Sequence, residues 1–372
     1  MRKFQIATLA ATVALGAAWS ASAQDITIAT IGPITGQYAS FGEQMKRGAQ
    51  MAVDDLNAKG GVLGHKIKLV VEDDACDPKQ AVAAANKVAD MKVALVAGHF
   101  CSGSSIPASE VYARKGILQI TPASTNPALT DAAAKKGWKN VNRVCGRDDA
   151  QGLVAGTYMA KTYKPKKIAI LHDNTAYGKG LADETRKALN KAGKKEAIYE
   201  AYKPGEKDYT ALMGKMKAAG VDVIYIGGYD AEAALMIRQA QEQGYKPQMI
   251  SGDALVTDNF WKVAGPAGEG VLMTFQPDPR NLASAKDVVG KFKAQNYDPE
   301  GYTLYTYAAV QVWAQAATQA KSLAMAKVSA VLRSGKAYDT VIGKIALDKK
   351  GDVRNPEYVW FKWSNGKYAQ VQ

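Results

Sequence analysis

The stretch GHFCSGSSIPAS (98–109) decides how this chain is read. It follows VALVA (93–97), a short apolar run of the kind that forms a buried strand, and opens into a segment of helical period ending near Lys115. A strand that delivers the chain through glycine and serines into a helix places backbone amides and hydroxyls at one sheet edge. The unpaired N–H groups and the dipole of the helix favour a negative charge there, and Ser102, Ser104 and Ser105 add donors. A second such loop, TPASTNPALT (121–130), follows the strand-like GILQIT (116–121) and offers Thr121, Ser124 and Thr125. Each loop alone reads as a helix cap. At neighbouring strand ends the two together suit a carboxylate.

The same alternation runs through most of the chain. DITIATI (25–31) leads to a helix near 43–59, HKIKLVVED (65–73) to one over 79–91, and the VALVA strand to one from about Ser105. The second half repeats the scheme: KIAILHD (167–173), KEAIYEAY (195–202) and VDVIYIGG (221–228) each precede a helical segment, and PQMISGD (247–253) and GVLMTFQ (270–276) follow. Such alternation means parallel sheets with helices on both faces, the α/β class. Two places break the rhythm. Residues 122–137 read as loop, and helices over 283–295 and 301–321 follow one another with no strand between. A helix over 325–334 then precedes TVIGKIALDKKGDV (340–353), and EYVWFKWSNGKYAQV (357–371) reads as a hairpin turning at Asn365-Gly366.

A chain of 372 residues exceeds what one hydrophobic core usually supports. We therefore expect two doubly wound lobes, one formed by 24–147 with 277–356 and the other by 148–276 with 357–372. A short echo supports their likeness: FGEQ (41–44) and YGKG (177–180) each set an aromatic-glycine pair after a lobe's first strand. Ligands of open α/β sheets bind beyond the carboxyl ends of the strands, so two such edges facing each other would form a cleft.

Residues 1–23 read as a secretion signal. Arg2 and Lys3 precede an apolar run over 6–18, too short to span a bilayer, and ASA (21–23) offers a cleavage site. The expectation is an exported, periplasmic, untethered protein. The net charge of +13 is spread over solvated faces, with Lys66 and Lys68 on a strand, Lys191, Lys194 and Lys195 at a helix end, and Lys349 and Lys350 in a turn. No basic stripe interleaved with aromatics marks a nucleic-acid partner. Of three cysteines, Cys76 and Cys101 follow neighbouring strands at the same sheet edge and are expected to form a disulfide, leaving Cys145 as a small buried thiol. No Gly-x-Ser-x-Gly elbow, Walker phosphate loop or His-Glu-x-x-His motif occurs, and His65, His99 and His172 are far apart in sequence. The chain is expected to be no enzyme and to need neither metal nor cofactor.

In the facing half, Tyr177 and Tyr229 come just after strands, and Asp253 follows MISG. An anion site opposite an acid, with aromatic walls between, describes an α-amino acid pocket. The chain resembles the periplasmic binding proteins of branched-chain amino acid ABC transporters, the leucine/isoleucine/valine-binding type. The likeness covers the chain beyond the signal and is carried most specifically by DDACDPKQAVAAANKV (73–88), GHFCSGSSIPAS, ITPASTNP (120–127), HDNTAYGKGLA (172–182), GEKDYTALM (205–213), GGYDAEAA (227–234) and TYAAVQ (306–311).

This resemblance implies the type I binding-protein fold, two α/β lobes joined by three crossovers that close on the ligand, and again the Cys76–Cys101 bridge. It implies that Ser102 and Thr125 take the ligand carboxylate, that the Ala123 carbonyl and Asp253 take the ammonium, and that Phe41, Phe100, Cys101, Tyr177, Tyr229 and Tyr302 wall the side chain. It implies a monomer that hands an amino acid to an inner-membrane ABC permease. Three positions depart from the family's pattern. Asp253 stands where glutamate is common, Phe41 where tyrosine is usual, and Phe100 where leucine occurs. Apolar walls discriminate one methylene by only about 1–3 kcal/mol, which leaves the choice among leucine, isoleucine and valine open. Other amino acids, amides, aromatic acids or a sensing role on the same fold are the alternatives.

Overall fold

The computed structural model describes residues 24–371; the segment read as a secretion signal lies outside the described residues. Five parallel strands, β1 (Ile26–Gly32), β2 (Ile67–Asp73), β3 (Leu95–Gly98), β4 (Leu118–Thr121) and β5 (Val141–Arg143), lie in the order β2-β1-β3-β4-β5. A second parallel set, β6 (Ile168–His172), β7 (Ile198–Ala201), β8 (Val223–Gly227), β9 (Gln248–Ser251) and β10 (Leu272–Phe275), lies in the order β7-β6-β8-β9-β10. The two sets share one topology. β11 (Ala337–Thr340) and β12 (Gly343–Ala346) pair as a separate ribbon. The hairpin of β13 (Val359–Ser364) and β14 (Lys367–Val371) adds antiparallel to β10. Its two-residue turn is Asn365-Gly366, both at positive φ, as the sequence predicts.

Helices α1 (Ala39–Ala58), α2 (Pro78–Asp90), α3 (Ser102–Lys115) and α4 (Ala128–Lys135) connect the first sheet. Around the second run α5 (Asp148–Thr162), α6 (Ala176–Lys191), α7 (Thr210–Ala218), α8 (Asp230–Glu242) and α9 (Asp258–Ala264). The late helices α10 (Lys286–Ala294), α11 (Thr303–Ala320) and α12 (Met325–Leu332) follow, and α11 packs on α1, β3 and β4 of the first sheet. The chain thus passes between the sheets three times: after β5, after β10, and between β12 and β13. Strands β3, β4, β6 and β8 are buried at every residue, as parallel strands covered on both faces must be.

Two local readings are corrected. The helix expected from about Ser105 begins at Ser102, so the serines belong to its first turn. The span 122–137, expected as loop, contains α4; its run ALTDAAAK is a good helix former, and the flanking Thr, Asn and Pro residues obscure it. The aromatic-glycine echo has a physical basis. Phe41 and Tyr177 sit in the first turns of α1 and α6, and each following glycine allows a close approach. A Cβ on Gly42 would strike the Pro33 carbonyl, and one on Gly178 would strike Asp173 and the Gly227 carbonyl.

Cys76 and Cys101 are bonded, with Cα atoms 5.5 Å apart, and Cys145 is free and buried. The bridge closes a loop of 25 residues. Replacing both cysteines by alanine should lower unfolding free energy by about 3 kcal/mol, measured by denaturant unfolding of the exported chain.

Candidate functional site

In each sheet the strand order reverses between the first strand and the third, β1 against β3 and β6 against β8. The crevice at such a switch point is where open α/β sheets bind ligands, and here the two crevices face one another. A small cavity lies between them, lined by Phe100, Ser102, Ala123, Tyr177, Tyr229, Asp253 and Ala254.

On the first-lobe side the hydroxyls sort into two groups. Ser105 Oγ meets Ser124 Oγ at 2.7 Å; Ser124 Oγ also donates to the Phe100 carbonyl at 2.8 Å, and Thr121 Oγ1 to the His99 carbonyl at 2.7 Å. Thr121 Oγ1 in turn accepts from the Ser124 amide at 2.9 Å. These three hydroxyls tie the two loops together, which corrects their reading as ligand donors. Ser102, Ser104 and Thr125 remain, all buried; Ser102 Oγ accepts from the Asn126 amide at 3.2 Å, while Ser104 Oγ and Thr125 Oγ1 have no partner among the described residues. Cys101, the N-cap of α3, makes no side-chain cap, so the amides of Ser102 and Gly103 have no intrahelical carbonyl to meet.

On the second-lobe side Asp253 opens the turn after β9 and is 3% exposed. Tyr177 donates to Oδ1 at 2.8 Å, and Tyr302, reaching from the start of α11, donates to Oδ2. Burial pushes the Asp253 carboxyl up, against the downward pull of those two phenols. Asp253 therefore has hydrogen bonds but, among the described residues, no cationic side chain beside it.

Of the residues expected at the site, Phe100, Ser102, Ala123, Tyr177, Tyr229 and Asp253 reach the cavity itself. Phe41 stacks behind Phe100 at 4.4 Å, and Tyr302 meets Phe100 edge-on at 5.2 Å. Cys101 is held in the disulfide, and neither Cys101 nor the buried Thr125 lines the cavity. Sequence reasoning missed Ala254, which carries no signal, and Tyr38, whose ring lies on Tyr229 at 4.5 Å. Tyr38 stands three residues before Phe41 on the same helical face, a spacing that could have found it. It also missed Asp148, at the start of α5, which burial pushes well above the carboxylate range.

The groups that could have suggested catalysis are structural. Burial pushes the Cys145 thiol up to about 12, which keeps it neutral. His99 is clamped by Asp74 at 2.6 Å and Tyr112 at 2.7 Å, His172 accepts from the Asn174 amide, and His65 meets the Gln24 carbonyl. No helix among the described residues is long and apolar enough to cross a membrane.

Two similar α/β lobes that close over a buried polar cavity define a two-lobe solute-binding protein. The chain belongs to the periplasmic binding protein family, which it matches over residues 25–367. It is 47% identical over 378 residues to Leu/Ile/Val-binding protein homolog 1 of Brucella suis biovar 1, covering 100% of both chains. It is 49% identical over 370 residues to an amino acid binding protein of Pseudomonas aeruginosa, covering 98% of this chain and 97% of that one. Among solved structures it is similar to the branched-chain amino acid transporter substrate binding protein LivJ of Streptococcus pneumoniae in complex with isoleucine. That match has a TM-score of 0.84 at 26% identity and covers 94% of this chain and 99% of the other.

Beside Tyr229, Asp230 is fully buried at the start of α8, accepting from Asn259 Nδ2 at 2.7 Å. Burial, with nearby Glu232 adding to it, outweighs Asn259 and the helix amides and raises its carboxyl from 3.8 to about 7. An acid that holds its proton more tightly when folded destabilises the fold as pH rises between its unfolded and folded values, here from about 4 to about 7. Asp230→Asn should therefore add about 1–2 kcal/mol of unfolding free energy at pH 8 and little at pH 4, measured by urea unfolding at both pH values.

Proposed function

We propose that this chain is a periplasmic, non-catalytic carrier that binds an aliphatic, branched-chain L-amino acid between its lobes and presents it, as a monomer, to an inner-membrane ABC permease. The observation that carries the reading is Asp253, a buried carboxylate with no cation beside it among the described residues, lining one small cavity together with Ser102 at the start of α3. In this reading the ligand carboxylate meets Ser102, the free amides of α3 and Thr125, while its ammonium meets Asp253 and the Ala123 carbonyl. The aliphatic side chain lies against Phe100, Tyr177 and Tyr229, backed by Phe41, Cys101 and Tyr302. The names of the relatives, which bind Leu, Ile and Val or amino acids, agree with this ligand class. The bodies that close are 24–147 with 277–356, and 148–276 with 357–372.

Charge-assisted hydrogen bonds contribute about 1.5–3 kcal/mol each. Asp253→Asn should accordingly weaken leucine about 10- to 100-fold by calorimetry; an unchanged affinity would sink the ammonium assignment. An aromatic acid lacking an ammonium should bind the parent chain weakly or not at all.

The raised Asp253 carboxyl adds a pH dependence. The ammonium favours the ionised form, so binding expels any proton Asp253 holds, and affinity is full above the free protein's pKa and falls below it. Calorimetry from about pH 8 down to about pH 4.5, in buffers of differing ionisation enthalpy, should show weakening affinity and growing proton release, both abolished in Asp253→Asn.

A further inference from the structure

A second carboxylate stands between the lobes, outside the cavity. Glu232 lies in the first turn of α8 and is 1% exposed. Its Oε1 accepts three hydrogen bonds. One comes from its own side, the Gly205 amide at 2.9 Å. Two come from the first lobe, Gln37 Nε2 at 2.9 Å and the Tyr38 hydroxyl at 3.0 Å. Among the described residues no cationic side chain pairs with Glu232, and its Oε2 is buried without a partner. Tyr38 also lies on Tyr229, which walls the cavity, so this contact and the ligand chamber share one aromatic plate.

We propose that Glu232, with Gln37 and Tyr38, is a clasp that sets the closing equilibrium of the cleft and thereby scales affinity for every ligand by the same factor. The inference rests on the reading of the chain as a carrier that closes on its ligand. When the lobes part, Gln37 and Tyr38 leave with the first lobe, while Gly205 stays with Glu232. Closure gains two donors to a charged acceptor and gives up the water around a carboxylate that meets no cation. Those opposing terms are both several-fold larger than their difference. A near-balanced clasp holds the lobes only weakly by itself and holds them well once a ligand adds its own contacts. Asp253 touches the ligand's chamber and selects; Glu232 does not touch it and acts through the lobes as a positioning residue.

The test uses the full exported chain, leucine and valine as probes, calorimetry for Kd and stopped-flow for dissociation. Gln37 is exposed and Tyr38→Phe removes only a hydroxyl, so Gln37→Ala and Tyr38→Phe leave the fold intact even where Glu232→Gln does not. Each variant should speed dissociation of both ligands about 3- to 10-fold, with the leucine-to-valine Kd ratio unchanged. Tyr38→Phe combined with Glu232→Gln should be little worse than Glu232→Gln alone, the mark of residues acting on one another. Unchanged dissociation in Gln37→Ala and Tyr38→Phe, or an altered leucine-to-valine ratio, overturns the clasp. An effect confined to Glu232→Gln overturns it too, since that is the result of an anchor for the Gly205 loop alone. If the parent chain binds neither probe, the carrier reading for branched-chain amino acids fails and the clasp is still decided. Single-molecule energy transfer between dyes on the two lobes then reads the closed fraction of the unliganded chain. That fraction should fall about 3- to 10-fold in the variants, and no change overturns the proposal.

Discussion

A carboxylate taken out of water with no cation beside it is unstable by several kcal/mol, and the closed cleft holds Asp253 in that condition. Tyr177 and Tyr302 give its oxygens hydrogen bonds without giving it a counter-charge. The surroundings follow from relieving this. On the proposed reading the missing cation comes with the ligand, and a zwitterion brings an anion a few bonds away. The facing loop must then supply donors, and both lobes must meet to keep water from screening the pair. Tyr302 shows the dependence in one side chain, since it reaches Asp253 from the start of α11, the helix that packs on the first sheet.

The fold delivers this by using one topology twice. In both sheets the first strand lies between the second and the third, so the chain turns outward in opposite directions at the same point and leaves a crevice there. The glycines after Phe41 and Tyr177 let the helix that follows β1 and the one that follows β6 drop close to the strand ends, which brings Tyr177 to the cavity and Phe41 behind Phe100. The hydroxyls of Ser105, Thr121 and Ser124 then lock two loops of the first lobe to one another, and the Cys76–Cys101 bridge pins the same edge from the other side. The groups left with spare hydrogen-bonding capacity sit on a rigid frame.

Much of this was legible because it is local. Alternating apolar strands and helical periods announce a parallel α/β fold, Asn365-Gly366 announces a hairpin, and two cysteines after consecutive strands announce a bridge, although β1 lies between those strands in the sheet. The helix over 128–135 was hidden because its alanines are flanked by residues that also make loops. The division of the serines and threonines into tethers and free donors could not be read, because it depends on which loop oxygens lie within reach once β3 and β4 are side by side. The contact of Tyr38 with Glu232 spans 194 residues and follows no period. It exists only after both lobes have folded and met, and no pattern in either segment announces it.

Identical topology leaves one question, how the helix starts at the two edges differ. Every helix start presents free amides and the positive end of a dipole, and both lobes point such starts into the cleft. The difference lies in what the first turns contain. Neither α1 nor α3 has an acidic residue there or a capping side chain, so the amides at these two starts are not answered by a side chain of the first turn, unlike those of α2, which Asp77 caps. In the second lobe Asp230 and Glu232 stand in the first turn of α8, Thr175 caps α6, and Asp173 accepts from the Thr175 amide and hydroxyl. The same dipoles are answered from within, and the edge becomes a field of buried carboxylates to which Asp253 is added. On the proposed reading, a few side chains at helix starts thus suit a duplicated fold to a molecule with two unlike ends, and they set which end faces which lobe.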